Sequence, residues 1–150
     1  MITFVKGDIT KASTQVIAHQ VNCNGVMGAG VARAMRRAFP EIYAPYKSLC
    51  KELGAMMLGN VQAITVSTGQ VVVNLFGQEG YGTMVQQTDY KALQLALMHL
   101  RELSINSGWK SIALPYRIGC GLGGGDWEIV GGMIRSIFHN FNGLVVIYEL

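Results

Sequence analysis

Charge is scarce in this chain: Asp, Glu, Lys and Arg make up 14% of its 150 residues, while half are hydrophobic. That balance excludes a disordered, heavily solvated polypeptide. Cysteine is scarcer still, three residues in all, at Cys23, Cys50 and Cys120. The odd count and the lack of a CxxC pair argue against a disulfide framework and a zinc site, and fit reduced thiols in cytoplasm. Long apolar runs are missing as well. "SIALPY" and "LVVIY" fall far short of the roughly 20 residues of a membrane helix, and "MITFVKGD" carries no signal-peptide core. A soluble, cytoplasmic protein is expected. The formal charge of +3 is too mild to mark a nucleic-acid binder, and the basic stretches "RAMRRAF" and "YKSLCK" read as solvated helix faces. Repeats, linkers and low-complexity segments are absent. The length suits one domain over residues 1–150, burying roughly 70% of its unfolded surface, and a monomer is expected.

What the chain does have is glycine, 19 residues, five of them within "GCGLGGGD" at positions 119–126. Glycines at that density cost chain entropy and contribute no packing, so close approach of the backbone to another group is the expected return. The surrounding pattern alternates. "MITFVKG", "TQVIAHQV", "NVQAITVS", "VVVNLF", "KSIALPYRIG" and "LVVIYEL" read as strands, the third and fourth joined as a hairpin around "TGQ". From Val31 the pattern is helical, broken at Pro40 and Pro45 into two short helices, the second ending at Gly54. "TDYKALQLALMHLRELSINSG" is the longest helix, with Thr88 as its cap, Leu93, Leu97 and Leu100 on one face, and Gly108 at its end. Asp126 caps a last helix beginning at Trp127. Alternating strands and helices predict a mixed, largely parallel sheet covered on both faces, with ligands held beyond the carboxyl ends of the strands.

Three strand exits are polar or glycine-rich: "GDIT", "NCNGVMGAG" and "GCGLGGG". The last matches GxGxxG at Gly119, Gly121 and Gly124. No strand ending in an acid about 20 residues later completes a dinucleotide fingerprint, so the simpler inference stands: amides at a helix start face a diphosphate. Gly25, Gly28 and Gly30 form a second such loop. Two anion-accepting loops on one crevice suggest a pyrophosphate flanked by two sugars. His19, with an ordinary pKa near 6.5, is a candidate general acid or base, though a lone histidine on an apolar strand is more often packed in the core. Cys120 lies where a helix start could lower a thiol pKa, but it lacks a base partner.

"VKGDIT", "AHQVNCNGVMGAGVA", "NLFGQEGYG" and "LPYRIGCGLGGGDWEIV", in this order, resemble segments of macro domains, the ADP-ribose-binding family. The likeness is strongest to the branch of terminal ADP-ribose protein glycohydrolases and of bacterial and phage enzymes processing ADP-ribose-1″-phosphate. It implies a three-layer α/β/α fold. It also implies that Gly7, Asp8 and the Ile9 backbone read adenine, the carboxylate accepting from the exocyclic amine. Met27, Gly28, Ala29, Gly30 and Val31 would wrap the distal ribose and one phosphate. Gly119, Cys120, Gly121, Leu122, Gly123 and Gly124 would take the diphosphate, with Pro115 on the adenine side and Phe76 and Gln78 over a sugar.

Several of the branch's catalytic residues are missing. Ala32 stands where many macro domains carry an aspartate, no lysine follows "NLF" until Lys91, and Gly123 replaces a further aspartate. Asn22, Asn24 and His19 remain as candidate catalytic groups, with the ligand's diphosphate as base. The function implied is hydrolysis of ADP-ribose derivatives at the distal ribose, as 1″-phosphate, O-acetyl ester or ADP-ribosylated protein or nucleic acid. The alternative is a non-catalytic ADP-ribose reader. No metal, no resident cofactor, no membrane and no sequence-specific nucleic acid are implied, ADP-ribose being ligand or product.

Overall fold

Apolar residues occupy odd and even positions alike in the central strands, the pattern of a sheet covered on both faces. The computed structural model, describing residues 1–150, builds that sheet from β1 (Ile2–Lys6), β2 (Val16–Val21), β3 (Val61–Thr65), β4 (Val71–Phe76), β5 (Ser111–Pro115) and β6 (Leu144–Glu149). Their spatial order is β1-β6-β5-β2-β4-β3. All neighbours run parallel except β3, which turns back antiparallel on β4 as the expected hairpin.

Four helices cover the sheet: α1 (Gly30–Ala38), α2 (Tyr43–Leu53), α3 (Tyr90–Ser107) and α4 (Trp127–Ile137). Val16, Ala18, Val73, Leu75, Ile112 and Leu114 point to one face, where Leu93, Leu97 and Leu100 of α3 and Val130 and Ile134 of α4 close over them. Ile17, Val21, Val72, Phe76 and Ala113 point to the other, against Met35 of α1 and Tyr46 and Cys50 of α2. The result is the three-layer α/β/α arrangement. No helix is long and apolar enough to cross a membrane.

Helix ends follow local chemistry, with two differences from expectation. Asp89, not Thr88, caps α3, its carboxylate accepting from Ala92 N at 3.0 Å. The Thr88 hydroxyl is engaged elsewhere. Pro45 does not divide the helices; it sits in the first turn of α2, where its missing N–H is no loss, and Pro40 opens the short 3-10 turn between them. Asp126 caps α4 as expected, and Gly108 ends α3 in the left-handed conformation at φ 72°.

A polar seam crosses the α1/α2 face of the sheet. His19 on β2 lies 2.8 Å from Asn74 Oδ1 on β4, and Asn74 Nδ2 donates to Gln62 Oε1 on β3 at 3.1 Å. His19 is 0% exposed, and burial pushes its pKa down to about 4. The unfolded chain takes up a proton near pH 6.5, whereas the folded one resists until about pH 4. Stability is therefore full above that window and falls as pH drops through it, by on the order of 3 kcal/mol at its lower end. Thermal melts of wild type and His19→Asn at pH 7 and pH 4.5 test this. The wild type is expected to lose more melting temperature on acidification than the variant, and equal losses would contradict it.

Candidate functional site

The parallel strands carry their carboxyl ends to one edge of the sheet, and a cleft of about 890 Å³ opens there between β2 and β5. Its floor and walls include Gln20, Val21 and Asn22 from the end of β2, Val26 and Gly28 to Ala32 from the next loop, and Gln78 after β4. Pro115 to Gly123 form the opposite wall, with Tyr81, Gly82 and Thr83 at the mouth.

Two rows of backbone amides without protein acceptors lie in the lining. α1 begins without a side-chain cap at Ala29, and its first backbone bond is Arg33 N to Ala29 O at 3.2 Å. The N–H groups of Gly30, Val31 and Ala32 thus reach the cleft unpartnered, at the positive end of the helix dipole. On the facing loop, Cys120 N, Gly124 N and Gly125 N bond back to Arg117 O, Gly121 O and Gly119 O. Those of Gly119, Gly121, Leu122 and Gly123 donate to no protein group. The two arrays meet across one side chain: Leu122 Cδ1 would lie 3.1 Å from a Cβ added to Gly30.

The glycines serve two different ends. A Cβ on Gly123 would collide with the Thr88 hydroxyl and stand 2.8 Å from Gly119 O, and one on Gly125 would stand 2.7 Å from Gly119 O. These positions are bare so that the loop can pack on its own scaffold. A Cβ on Gly121 would meet no atom within 4 Å. Within the 119–125 loop, only here does the bare backbone face open cleft.

Thr88 is the clasp beneath this loop. Its hydroxyl donates to Gly119 O at 2.6 Å and accepts from Gln20 Nε2 at 2.9 Å, while its N–H reaches Gly123 O at 3.0 Å. Gln20 Nε2 also donates to Gln78 Oε1 at 2.7 Å. Gln20 Oε1 is buried without a conventional donor; it faces the Cα positions of Gly77 and Gly119, whose hydrogens are weak donors.

Asn22, 6% exposed, braces the loop before α1. Its Oδ1 accepts from Asn24 N (3.0 Å), Val26 N (3.4 Å) and the Tyr46 hydroxyl (2.8 Å), and its Nδ2 donates to Val26 O (2.8 Å). The cleft wall holds one charged side chain, Arg117, and no carboxylate, histidine or lysine. Cys120 is buried there, its thiol pushed up by desolvation rather than lowered by the helix start. It is a packed residue, not an activated nucleophile. Nowhere do three or more His, Cys, Asp or Glu side chains converge as metal ligands would.

Of the residues singled out from sequence, Asn22, Gly28, Ala29, Gly30, Val31, Gln78, Pro115, Gly119, Cys120, Gly121, Leu122 and Gly123 line the cleft. Others do not. Phe76 is wholly buried, packed against Tyr46 with ring centroids 6.0 Å apart, because its β4 position points into the core; it covers no sugar. Met27 is 1% exposed in the same core. His19 is sealed between strands and reaches nothing in the cleft, which corrects its candidacy as acid or base. Asn24 faces a neighbouring polar cavity with Glu79, Gln87 and Asp89. Gly124 turns away, packing on Gln86 at φ 75°.

Gly7, Asp8 and Ile9 follow β1, outside the lining, and Ile9 is buried. Asp8 Oδ1 accepts from Thr10 Oγ1 (2.7 Å) and Thr10 N (2.9 Å), which holds the carboxyl below its usual range and leaves Oδ2 without a protein donor. Gln20, Tyr81, Thr83, Tyr116 and Arg117 were missed from sequence. Arg117 carried a signal, its place between a strand end and the glycine loop; Gln20 carried none, since only strand pairing brings it to the loops.

The macro domain family model matches residues 18–134. A Mycobacterium tuberculosis protein named DNA ADP-ribosyl glycohydrolase is 33% identical over 144 residues, covering 92% of this chain but 39% of that relative. The human ADP-ribose glycohydrolase OARD1 is 27% identical over 150 residues, covering 99% of this chain and 91% of that one. The solved macrodomain of Mycobacterium tuberculosis DarG superposes with TM-score 0.88 at 28% identity, over 99% of this chain and 97% of that one. With the family model spanning residues 18–134 and a solved macrodomain superposing over nearly the whole chain, this protein belongs to the macro domain family.

Proposed function

We propose that this protein binds ADP-ribose and hydrolyses ADP-ribose derivatives at the distal ribose. The observation that carries the reading is the pair of unpartnered N–H arrays, at the start of α1 and along Gly119 to Gly123, on one cleft. A diphosphate between two sugars satisfies both arrays at once. In this reading Asp8 Oδ2 accepts from the adenine amine, and the distal ribose lies against Gly28 to Val31, near Gln78 and the Asn22-braced loop. The relatives named as glycohydrolases support the reaction class. Because the chain spans only 39% of the mycobacterial relative, that whole protein's DNA-directed activity is one candidate among several here. A 1″-phosphate, an O-acetyl ester and a protein-linked or nucleic-acid-linked ADP-ribosyl group all fit the same cleft chemistry.

The chemistry proceeds without a protein acid or base in the cleft. Water attacks the anomeric carbon of a glycosidic link, the acyl carbon of an ester or the phosphorus of a 1″-phosphate; the bond from that atom to the leaving oxygen breaks with its electron pair on the oxygen, and a diphosphate oxygen of the ligand takes water's proton and passes it to the leaving oxygen. The amide arrays fix that diphosphate before the reaction begins, so little reorganisation is needed at the transition state. The same lack of carboxylate, lysine and histidine favours a second reading, a non-catalytic reader of ADP-ribosylated partners.

Titration calorimetry with ADP-ribose, followed by assays for release of the 1″-phosphate and of acetate, separates the readings. Binding with turnover supports the hydrolase, binding without turnover on any derivative supports the reader, and no binding removes both. Gly121→Trp is expected to abolish binding while leaving the melting temperature within a few degrees, since its side chain enters open cleft. Gly123→Ala is expected to destabilise the fold instead, by roughly 1–3 kcal/mol, because it overpacks the Thr88 clasp. If the protein turns over, kcat is expected to vary by less than about threefold between pH 6 and pH 8, because no protein group in the cleft is poised to titrate as acid or base. Measured on the O-acetyl derivative, whose transferred group does not titrate in that range, a profile that bends at an apparent pKa between pH 6 and pH 8 would reveal an ionising protein group and contradict the mechanism.

A further inference from the structure

Arg117 is the one residue other than glycine with a left-handed backbone, at φ 60°. The conformation strains most residues with a Cβ, Asn and Asp least among them, and is free of strain for glycine. Its neighbours impose it. Tyr116 N donates to Tyr148 O at 2.8 Å, and the Tyr116 ring is wedged between Trp127 (centroids 5.1 Å apart) and Phe4 (6.4 Å). Ile118 is buried in the core, and its N–H closes a turn on Pro115 O at 3.1 Å. Between these two anchors the chain reverses at Arg117, whose carbonyl accepts from Cys120 N at 2.8 Å.

A glycine would make this turn without strain, yet the position holds an arginine, and its side chain does little for the fold. It is exposed, and its one hydrogen bond is from Nη2 to Cys120 O at 3.3 Å. The remaining guanidinium donors are free. It is also the only charged group lining the cleft, on the same wall as the unpartnered amides of Gly119, Gly121, Leu122 and Gly123. A fixed cation beside a row of free N–H groups, with no carboxylate in the lining to neutralise it, recognises a phosphoryl oxygen.

We propose that Arg117 is a specificity-determining residue, its guanidinium holding a phosphoryl oxygen of a nucleoside diphosphate beside the glycine-loop amides in exchange for backbone strain. The proposal rests on the binding reading above and adds to it the group that makes the cleft select for ligand charge. Functional strain of this kind trades stability for binding, so the two properties should move in opposite directions when it is removed.

Calorimetry and thermal melts on wild type, Arg117→Gly, Arg117→Asn and Arg117→Lys test it, with ADP-ribose and uncharged adenosine as probes at low and high salt. Gly and Asn both tolerate the left-handed region, which keeps the turn intact in two independent variants. Arg117→Gly is expected to melt at or above the wild-type temperature and to bind ADP-ribose about tenfold more weakly, with adenosine binding unchanged. Its ADP-ribose affinity should also depend less steeply on salt, and Arg117→Lys should recover part of the loss. Wild-type affinity for ADP-ribose in both the Gly and Asn variants would overturn the proposal, as would an equal loss of both probes, which marks a structural role. Failure of the wild type to bind ADP-ribose at all would remove the binding reading, and this proposal with it.

Discussion

The cleft depends on the Thr88 hydroxyl. That oxygen accepts from Gln20 on β2 and donates to Gly119 O, while the Thr88 amide holds Gly123 O. Three separated stretches of chain, the end of β2, the approach to α3 and the glycine loop, are pinned within hydrogen-bond distance of one another. The fit is tight enough that no side chain is tolerated at Gly123, and Gln20 gives up a conventional partner for its Oε1 to occupy the position. A buried acceptor left in this way has a cost, which is consistent with the value of holding the loop rigid.

Rigidity matters because many of the donors that line the cleft are backbone amides with no protein acceptor. A side-chain donor can swing to meet a charge; an amide has to be aimed in advance. The clasp aims the loop 119–123, and Asn22, with the Tyr46 hydroxyl beneath it, does the same for the turn that leads into α1. Burial pushes the Tyr46 phenol up, so it stays a neutral donor to Asn22 O and Oδ1. Two preorganised arrays then meet across Leu122 with little freedom lost when an anion arrives.

Electrostatics in the cleft are accordingly simple. Partial charges from N–H groups and one guanidinium surround a mostly apolar crevice, and neither titratable group that the sequence offered as chemistry is available there in charged form. His19 is kept neutral inside the sheet, and the Cys120 thiol is raised by burial. The cleft therefore presents N–H donors and one cation, and no carboxylate, to whatever enters it.

Local patterning was enough for the elements. One alternating stretch and five short apolar runs placed the six strands, Gly108 and Asp126 marked helix ends by the conformations and hydrogen bonds they make, and two glycine-rich strand exits line the cleft at the carboxyl edge of the sheet. The errors share one physical origin. Phe76, Met27 and His19 sit within two residues of cleft-lining positions, and only the direction of each side chain relative to the packed layers decides between core and cleft. Thr88 was legible as a polar residue before a helix; that its hydroxyl leaves the cap to Asp89 and clasps a loop 31 residues away depends on a contact no local pattern encodes. Period and turn chemistry act over a few residues, so the sequence by itself determined the strands, the helices and the glycine loops. Burial and long-range hydrogen bonds arise when layers pack, so only the tertiary structure decided which loop glycine faces open cleft, which polar groups are sealed away, and that Arg117 is the cleft's one charge.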